Sequence, residues 1–389
     1  MVPFAGLVDA KSGLVRHRVG DMNRPAKSAG YVARTRPVVP PIYQSATFYL
    51  DDIAYKDIQA NDGLGEHWYS RFANPTVDAA AAEIAELEGA EAALMTASGM
   101  AAIATTLLTL LQKGRRIVAA RQVYGDTRDL LVRDLPALGF DVTMVDAADI
   151  DAWRSAIDAA PTTIVYAETL SNPQLELTAI ATVASLAHRA GAQLVIDNTF
   201  ATPYTVNPLR LGADIVVHSA TKFLSGHSDV IAGAVVADRE TIVELQRRVI
   251  TLGGCLDAHA AFLVWRGLQT FGIRMDRAQS TARALVQRLR ANPHVAAVRY
   301  PGDGAMVSFV VHGGNDRALA VMRRLRVASE ATSLGGVETL VSAPFNSSHF
   351  SLSEQELADA RIDAGMLRFS CGIEDTETLI ADVEQALAA

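Results

Sequence analysis
The sequence predicts an α/β protein: a mostly parallel sheet with helices on both faces, followed by a smaller α+β unit. Three observations carry this. Between residues 115 and 238, six short β-branched runs alternate with helical stretches, and after about residue 257 the texture changes to one long helical stretch followed by shorter strands. The chain has 389 residues, 50% of them hydrophobic and 20% charged, which is enough to bury one large core or two moderate ones.

The six runs are residues 115–120, 141–147, 162–168, 193–199, 214–219 and 232–238. Each is largely apolar rather than alternating, as strands buried on both faces require. Between them lie the helical segments DTRDLLVRDLPAL, DIDAWRSAIDAA and AIATVASLAHRAGA. In sheets of this kind ligands sit beyond the carboxyl ends of the strands. From residue 257 a continuous helical pattern runs to Asn292, then come VAAVRY, MVSFVVHG and MLRFSCGIE as strands and a last helix from Thr376. The first 66 residues are interrupted by proline and read as an extended arm. The expected organisation is an arm at 1–66, a large domain at 67–256 and a small C-terminal domain at 257–389.

Composition excludes several classes of function. Asp and Glu total 43 against 35 Lys and Arg, and neither sign gathers into a run, so nucleic acid and anionic membrane surfaces are not expected partners. Cys255 and Cys371 stand far apart, without metal-ligand spacing, which fits a reducing cytoplasm and predicts neither a disulfide framework nor a metal site. The N-terminal residues do not follow the secretory-signal pattern. Residues 92–111 are uncharged, but ASG interrupts them, so the helical part begins near Ser98 and is too short to span a bilayer.

Three features fall at strand ends of the large domain: Asp197 closing QLVID, the turn HSATK closing DIVV, and Ser98-Gly99-Met100 opening a helix. Alone, Asp197 reads as a cap or turn former and SGM as a plain N-cap. Together they match the needs of pyridoxal phosphate: a lysine for its aldehyde, a carboxylate to keep its ring nitrogen protonated, and a site for its phosphate dianion. Lys222 supplies the amine and Asp197 the carboxylate. Ser219 and Thr221 supply hydroxyls, and Gly99 and Met100 backbone N–H groups at a helix N-terminus. The surroundings of Lys222 are hydroxyls and small residues rather than carboxylates. A carboxylate would hold the lysine as a paired ammonium, whereas reaction with an aldehyde needs the neutral amine. A nicotinamide-binding fold would want G-x-G-x-x-G after the first strand, and RRIVAARQVYGD lacks it.

Nine ordered stretches carry a family resemblance: PPIYQSATF, YSRFANPT, TASGMAAI, VYGDT, ETLSNP, VIDNTFATP, VVHSATKFLSGHSDVIAG, SLGG and LRFSCGIED. They resemble the Cys/Met-metabolism class of pyridoxal-phosphate enzymes, which includes cystathionine γ-lyase, cystathionine γ-synthase, methionine γ-lyase and the O-acylhomoserine sulfhydrylases. The resemblance implies the fold-type I transferase-like architecture. It also implies Lys222 as the aldehyde-linked lysine and proton shuttle, Asp197 as partner of the ring nitrogen, and Ser219, Thr221, Gly99 and Met100 as phosphate ligands. By the same resemblance Tyr124 stacks on the ring and exchanges protons at the leaving group, and Asn172 bonds the phenolic oxygen and lies beside the substrate. Arg368 and Ser333 take the substrate α-carboxylate, while Tyr69 and Arg71 reach into a neighbouring subunit's phosphate site. That last pair implies a homo-oligomer with shared active sites, at least a two-fold dimer, and the resemblance implies that dimers pair into a homotetramer through an arm like residues 1–66.

The class implies γ-elimination or γ-replacement on S- or O-substituted homoserines, with an amino acid as the small-molecule partner. Three positions depart from its better-known members: Asp126, Asp129 and Thr332 stand where subfamilies often have cysteine, arginine and glutamate. Two acidic residues at the pocket mouth are expected to disfavour an anionic γ-substituent.

Overall fold
A computed structural model describes residues 37–347, 353, 355, 357 and 361–388, together with the backbone of 6–8 and 15–17. Of the expected arm, residues 1–36 other than 6–8 and 15–17 lie outside the described residues; strands β1 (Gly6–Val8) and β2 (Val15–His17) pair antiparallel. The rest of the arm is not extended throughout. It contains helix α1 (Asp52–Ala60), whose Asp51 cap accepts from the N–H groups of Ile53 and Ala54 and which buries none of its residues. Helix α2 (Pro75–Glu88) follows, started by the Asn74 side chain on Thr76 N–H with proline in its first turn, and ended by Gly89 at φ 69°.

A seven-stranded sheet is built from β3 (Ala92–Thr96), β4 (Arg116–Ala120), β5 (Asp141–Val145), β6 (Ile164–Glu168), β7 (Gln193–Asp197), β8 (Ile215–His218) and β9 (Gly233–Ala237), in the order β3-β9-β8-β7-β6-β4-β5. The contacts β4/β5, β4/β6, β6/β7 and β7/β8 are parallel, while β9 runs antiparallel to both β8 and β3. Every run read from the sequence is a strand here. Strand β3 is the addition: its residues open the uncharged stretch 92–111, where Ala and Leu favour helix and no turn residue marks the strand until Ser98. Ser98 then caps helix α3 (Gly99–Leu110), at the start that the sequence predicts.

The topology explains where a site belongs. From β4 the chain goes outward to β5 and returns to β6 on the other side of β4, so the strand order reverses between β4 and β6 and opens a crevice beyond their carboxyl ends. The connection from β8 to β9 is a loop without a crossover helix, which is why β9 comes back antiparallel. That loop, 219–232, carries Lys222 at the same end of the sheet.

A second sheet has the order β10-β11-β14-β13-β12, from Val295–Arg299, Met306–Val311, Ser329–Glu330, Leu340–Ser342 and Met366–Ser370 in chain order. Strands β12 and β13 go beyond the sequence reading, being only two and three residues long. The helical stretch predicted as one is two helices, Ala258–Leu268 and Phe271–Ala291, parted at Thr270. Arg274 satisfies the end of the first helix by donating to Gly267 O at 2.9 Å and Thr270 Oγ1 at 3.2 Å. The second helix joins two cores. Phe271, Met275 and Ala278 pack with the large sheet, and Ala282, Leu285, Val286 and Leu289 with the small one. Among the described residues no helix is long and apolar enough to cross a membrane.

Candidate active site
Several elements deliver side chains to one place beyond the carboxyl ends of the large sheet. Lys222 comes from the loop after β8, and Asp197 and Glu168 close neighbouring strands in register. Tyr124 precedes the short helix α4 (Gly125–Asp129) after β4. Asn172 follows β6, and Arg368 lies in β14, opposite Ser308 and Ser342.

Lys222 Nζ donates to Ser333 Oγ at 2.7 Å, and among the described residues no carboxylate lies within ion-pair distance of it. Burial, and then repulsion from the Arg368 guanidinium, bring its pKa down to about 8. An appreciable fraction of neutral amine is therefore present near neutrality. The loop that presents it is held by Arg274, whose guanidinium donates to the carbonyls of Phe223 at 2.9 Å and Leu224 at 3.3 Å. A side chain at Gly226, where φ is 72°, would overlap that guanidinium. Sequence reasoning does not find Arg274, which reads as one more basic residue on an amphipathic helix.

Arg368 is 5% exposed and has no carboxylate partner among the described residues. Its Nη1 donates to Asn172 Oδ1 at 2.9 Å and its Nη2 to Ser333 O at 3.3 Å. Burial lowers its pKa to about 10 while leaving it charged, so it is a desolvated cation held by neutral acceptors. Ser333 serves both cations, its hydroxyl facing Lys222 and its carbonyl Arg368, and it does so at φ 86°, a left-handed conformation that costs a serine about 1–3 kcal/mol.

Asp197 is 8% exposed, accepts from Thr199 N at 2.9 Å, and has no ion-pair partner among the described residues. Burial raises its pKa, with the Thr199 hydrogen bonds and His218 acting the other way. Glu168 is pushed up further by burial and by Asp197 beside it. Of this pair Glu168 retains the proton more readily, because Asp197 has more donors around it. Glu168 also accepts Tyr124 N–H at 2.6 Å, so it fixes the backbone that carries the tyrosine. Its signal is present in the sequence: it closes an apolar run as Asp197 does.

The phosphate end is visible as a close approach. A Cβ added to Gly99 would lie 2.8 Å from Ser219 Cβ and 3.0 Å from Ser219 Oγ, so the start of α3 and the HSATK turn touch only because residue 99 has no side chain. Ser219 N donates to Thr199 Oγ1 at 2.8 Å, while its own hydroxyl has no hydrogen-bond partner among the described residues. Met100 accepts from Thr127 Oγ1 at 3.7 Å, tying α3 to α4. The Thr221 hydroxyl donates to Ala232 O at 3.1 Å and accepts from Ala232 N at 3.0 Å, bracing the loop.

Tyr124 is 41% exposed, and its hydroxyl donates to Asp126 at 2.7 Å. Burial and Asp126 raise its pKa to about 12, so the phenol keeps its proton. Asp129 pairs with Arg133 at 3.4 Å. Of the two acidic residues expected at the mouth, Asp126 is thus the one that touches Tyr124. Tyr69 and Arg71 are both exposed, with Arg71 Cζ 5.3 Å from the Tyr69 ring and its Nη1 donating to Ile250 O at 3.0 Å. Neither has a described contact with the Lys222 cluster.

The Cys/Met metabolism PLP-dependent enzyme family matches residues 27–388. The chain belongs to that family. It is 39% identical over 370 residues to an L-methionine gamma-lyase of Pseudomonas putida, covering 90% of this chain and 93% of the relative. It is also 39% identical over 371 residues to a cystathionine gamma-lyase of Bacillus subtilis, covering 91% and 95%. Among solved structures, a cystathionine gamma-lyase of Micromonospora echinospora superposes with TM-score 0.84 at 36% identity over 92% of this chain and 96% of that one. A cystathionine gamma-synthase of Xanthomonas oryzae, crystallised with aminoacrylate and cysteine, gives 0.83 at 34% over 90% and 93%. The protein is therefore a PLP-dependent enzyme of the γ-lyase and γ-synthase class.

The residues present fit the family cofactor. Among the described residues Lys222 is an amine without a carboxylate partner and Asp197 a buried carboxylate without a cation in ion-pair distance, and Gly99 leaves a cradle that a methyl group would fill. The pKa of Lys222 has a direct consequence for loading apoenzyme. Below about pH 8 the ammonium predominates, so the rate of reaction with pyridoxal phosphate should rise with pH and level off above about 8. In Arg368→Gln the midpoint should move up, because a repelling charge is gone. Stopped-flow loading across pH 6 to 10 measures both.

Proposed function
We propose that the protein catalyses γ-elimination on S- or O-substituted L-homoserines: the substrate takes up water and yields 2-oxobutanoate, ammonia and the γ-substituent as a free thiol or acid. The observation that carries this is the arrangement of Lys222 and Arg368 around Ser333. Arg368, desolvated and lacking a carboxylate partner among the described residues, is suited to the α-carboxylate as a bidentate partner, with Asn172 and Ser333 orienting it. A substrate so held would have its α-carbon toward Lys222, whose pKa of about 8 suits it to take a proton from one carbon and deliver it to another. When bound, pyridoxal phosphate supplies the electron sink for the α-carbanion. Asp197 would face its ring nitrogen, Asn172 its phenolic oxygen, and Ser219, Thr221, Gly99 and Met100 its phosphate. Tyr124, protonated and at the open side, would give its proton to the departing sulfur or oxygen.

Release of 2-oxobutanoate from L-methionine, L-cystathionine or O-acetyl-L-homoserine without added thiol tests the reading. Product formed only with a thiol present would assign γ-replacement instead, which the similarity to cystathionine gamma-synthase structures also supports. Asp126 bears on the substrate. A carboxylate bonded to the Tyr124 hydroxyl disfavours an anionic γ-substituent. Asp126→Asn should raise kcat/KM for O-succinyl-L-homoserine relative to O-acetyl-L-homoserine by about tenfold, the effect of roughly 1.4 kcal/mol; an unchanged ratio would remove Asp126 from specificity.

Tyr69 and Arg71, exposed and apart from the cluster, support a site completed by a second copy of the chain, and hence a homo-oligomer, which we take to be a tetramer. The two free cysteines, Cys255 and Cys371, support a cytoplasmic location.

A further inference from the structure
Next to the strand end that carries Asp197 lies a buried polar cluster that the reaction scheme does not use. Glu88, the last residue of α2, is 0% exposed, and His218, the last residue of β8, is 1% exposed. His218 Nε2 lies 2.7 Å from Glu88 Oε1. The same oxygen accepts from Asn198 Nδ2 at 2.8 Å, and Glu88 Oε2 accepts from Asn207 Nδ2 at 3.3 Å. Two amide donors and the His218 ring thus converge on one buried carboxyl group. His218 Nδ1 has no hydrogen-bond partner among the described residues, so Glu88 makes the hydrogen bond that orients the ring.

The cluster reaches Asp197 by two routes. Asn198, next in the chain, is fixed by Glu88, by Val206 O at 2.8 Å and by Thr169 Oγ1, which donates to its Oδ1 at 2.8 Å. On the other strand His218 precedes Ser219, whose N–H holds Thr199 Oγ1, and Thr199 N–H in turn holds Asp197 Oδ1. A carboxylate as buried as Asp197, with Glu168 beside it on β6, needs a favourable field from somewhere, and no cation lies within ion-pair distance among the described residues. The ionisable groups around it are Tyr166 and Glu168 on β6, His218 on β8 and, through His218, Glu88 on α2.

We infer that Glu88 and His218 are a positioning pair that holds Asp197 as a carboxylate and thereby keeps the cofactor's ring nitrogen protonated. The inference rests on the cofactor reading above. Neither residue touches the reacting atoms; the effect passes through Asp197.

The test loads wild type, His218→Gln and Glu88→Gln with pyridoxal phosphate labelled with nitrogen-15 in the ring, and reads the ring-nitrogen chemical shift at pH 8. Wild type should give the protonated position, and both variants should move at least halfway to the unprotonated position. A pair that merely stabilises the fold would lower Tm and leave the shift where it is, and that result overturns the inference. If His218→Gln does not fold, the near-isosteric Glu88→Gln decides alone by the same shift. A wild-type protein with no bound signal would instead overturn the cofactor assignment, and the inference with it.

Discussion

Lys222→Ala should lose about 10⁴-fold or more in turnover, because one side chain is asked both to hold the cofactor and to move protons, and each such role is typically worth about 10²–10⁴. The fold should survive. Among the described residues Lys222 makes one side-chain hydrogen bond, to Ser333, and its loop is held by others: Arg274 on the carbonyls of Phe223 and Leu224, and Thr221 on Ala232. Circular dichroism and Tm close to wild type, with turnover lost, are the expected pair of results. Recovery of part of the activity by added primary amines would locate the loss in proton transfer. An alanine variant with near-normal turnover would mean that another base serves.

Arg368→Lys is expected to have the second largest effect. Arg368 is a planar fork already aligned by Asn172 Oδ1 and Ser333 O, and lysine is a point charge that cannot make two parallel hydrogen bonds to a carboxylate. Loss of a buried, charge-assisted contact of this kind costs about 2–5 kcal/mol, so kcat/KM should fall by roughly 30- to 5,000-fold. The fall should appear mainly in KM if the carboxylate contact is equally strong throughout the reaction. It should be similar for methionine, cystathionine and O-acetylhomoserine, since these differ only beyond the γ-carbon. A fall confined to one substrate would place Arg368 on the side chain rather than on the carboxylate.

Much of this protein is legible in its sequence, and for a physical reason. The parallel strands are buried on both faces, so their composition is extreme, and their ends are marked by polar residues that must leave the sheet. Strand β3 escapes because Ala-Ala-Leu-Met-Thr has helix-forming composition, and it is a strand by virtue of pairing with β9, a contact distant in sequence. The break at Thr270 escapes because Arg274, not a proline or a cap signal, makes it tolerable.

Within the site, the residues proposed to touch cofactor or substrate are readable from the sequence, while of those behind them only Glu168, at the end of an apolar run, leaves a signal. Glu88 ends a helix, where a glutamate ordinarily faces water, and only the packing of α2 against the strand ends makes it buried. His218 sits inside the stretch that carries Lys222 and gives no signal of its own. Asp129 reads as a second acidic group at the mouth, yet it pairs with Arg133 four residues on, a helical neighbour effect that spacing alone could show. Thr221 is expected from the sequence to contact the phosphate, and the bonds of its hydroxyl to both backbone groups of Ala232 are a second role that the sequence does not show.

The most direct measurement is to load the purified protein with pyridoxal phosphate, reduce it with borohydride, digest it and map the modified lysine by mass spectrometry. Modification confined to Lys222 is the expected result. Modification spread over surface lysines, or absent from Lys222, would contradict the assignment of this site.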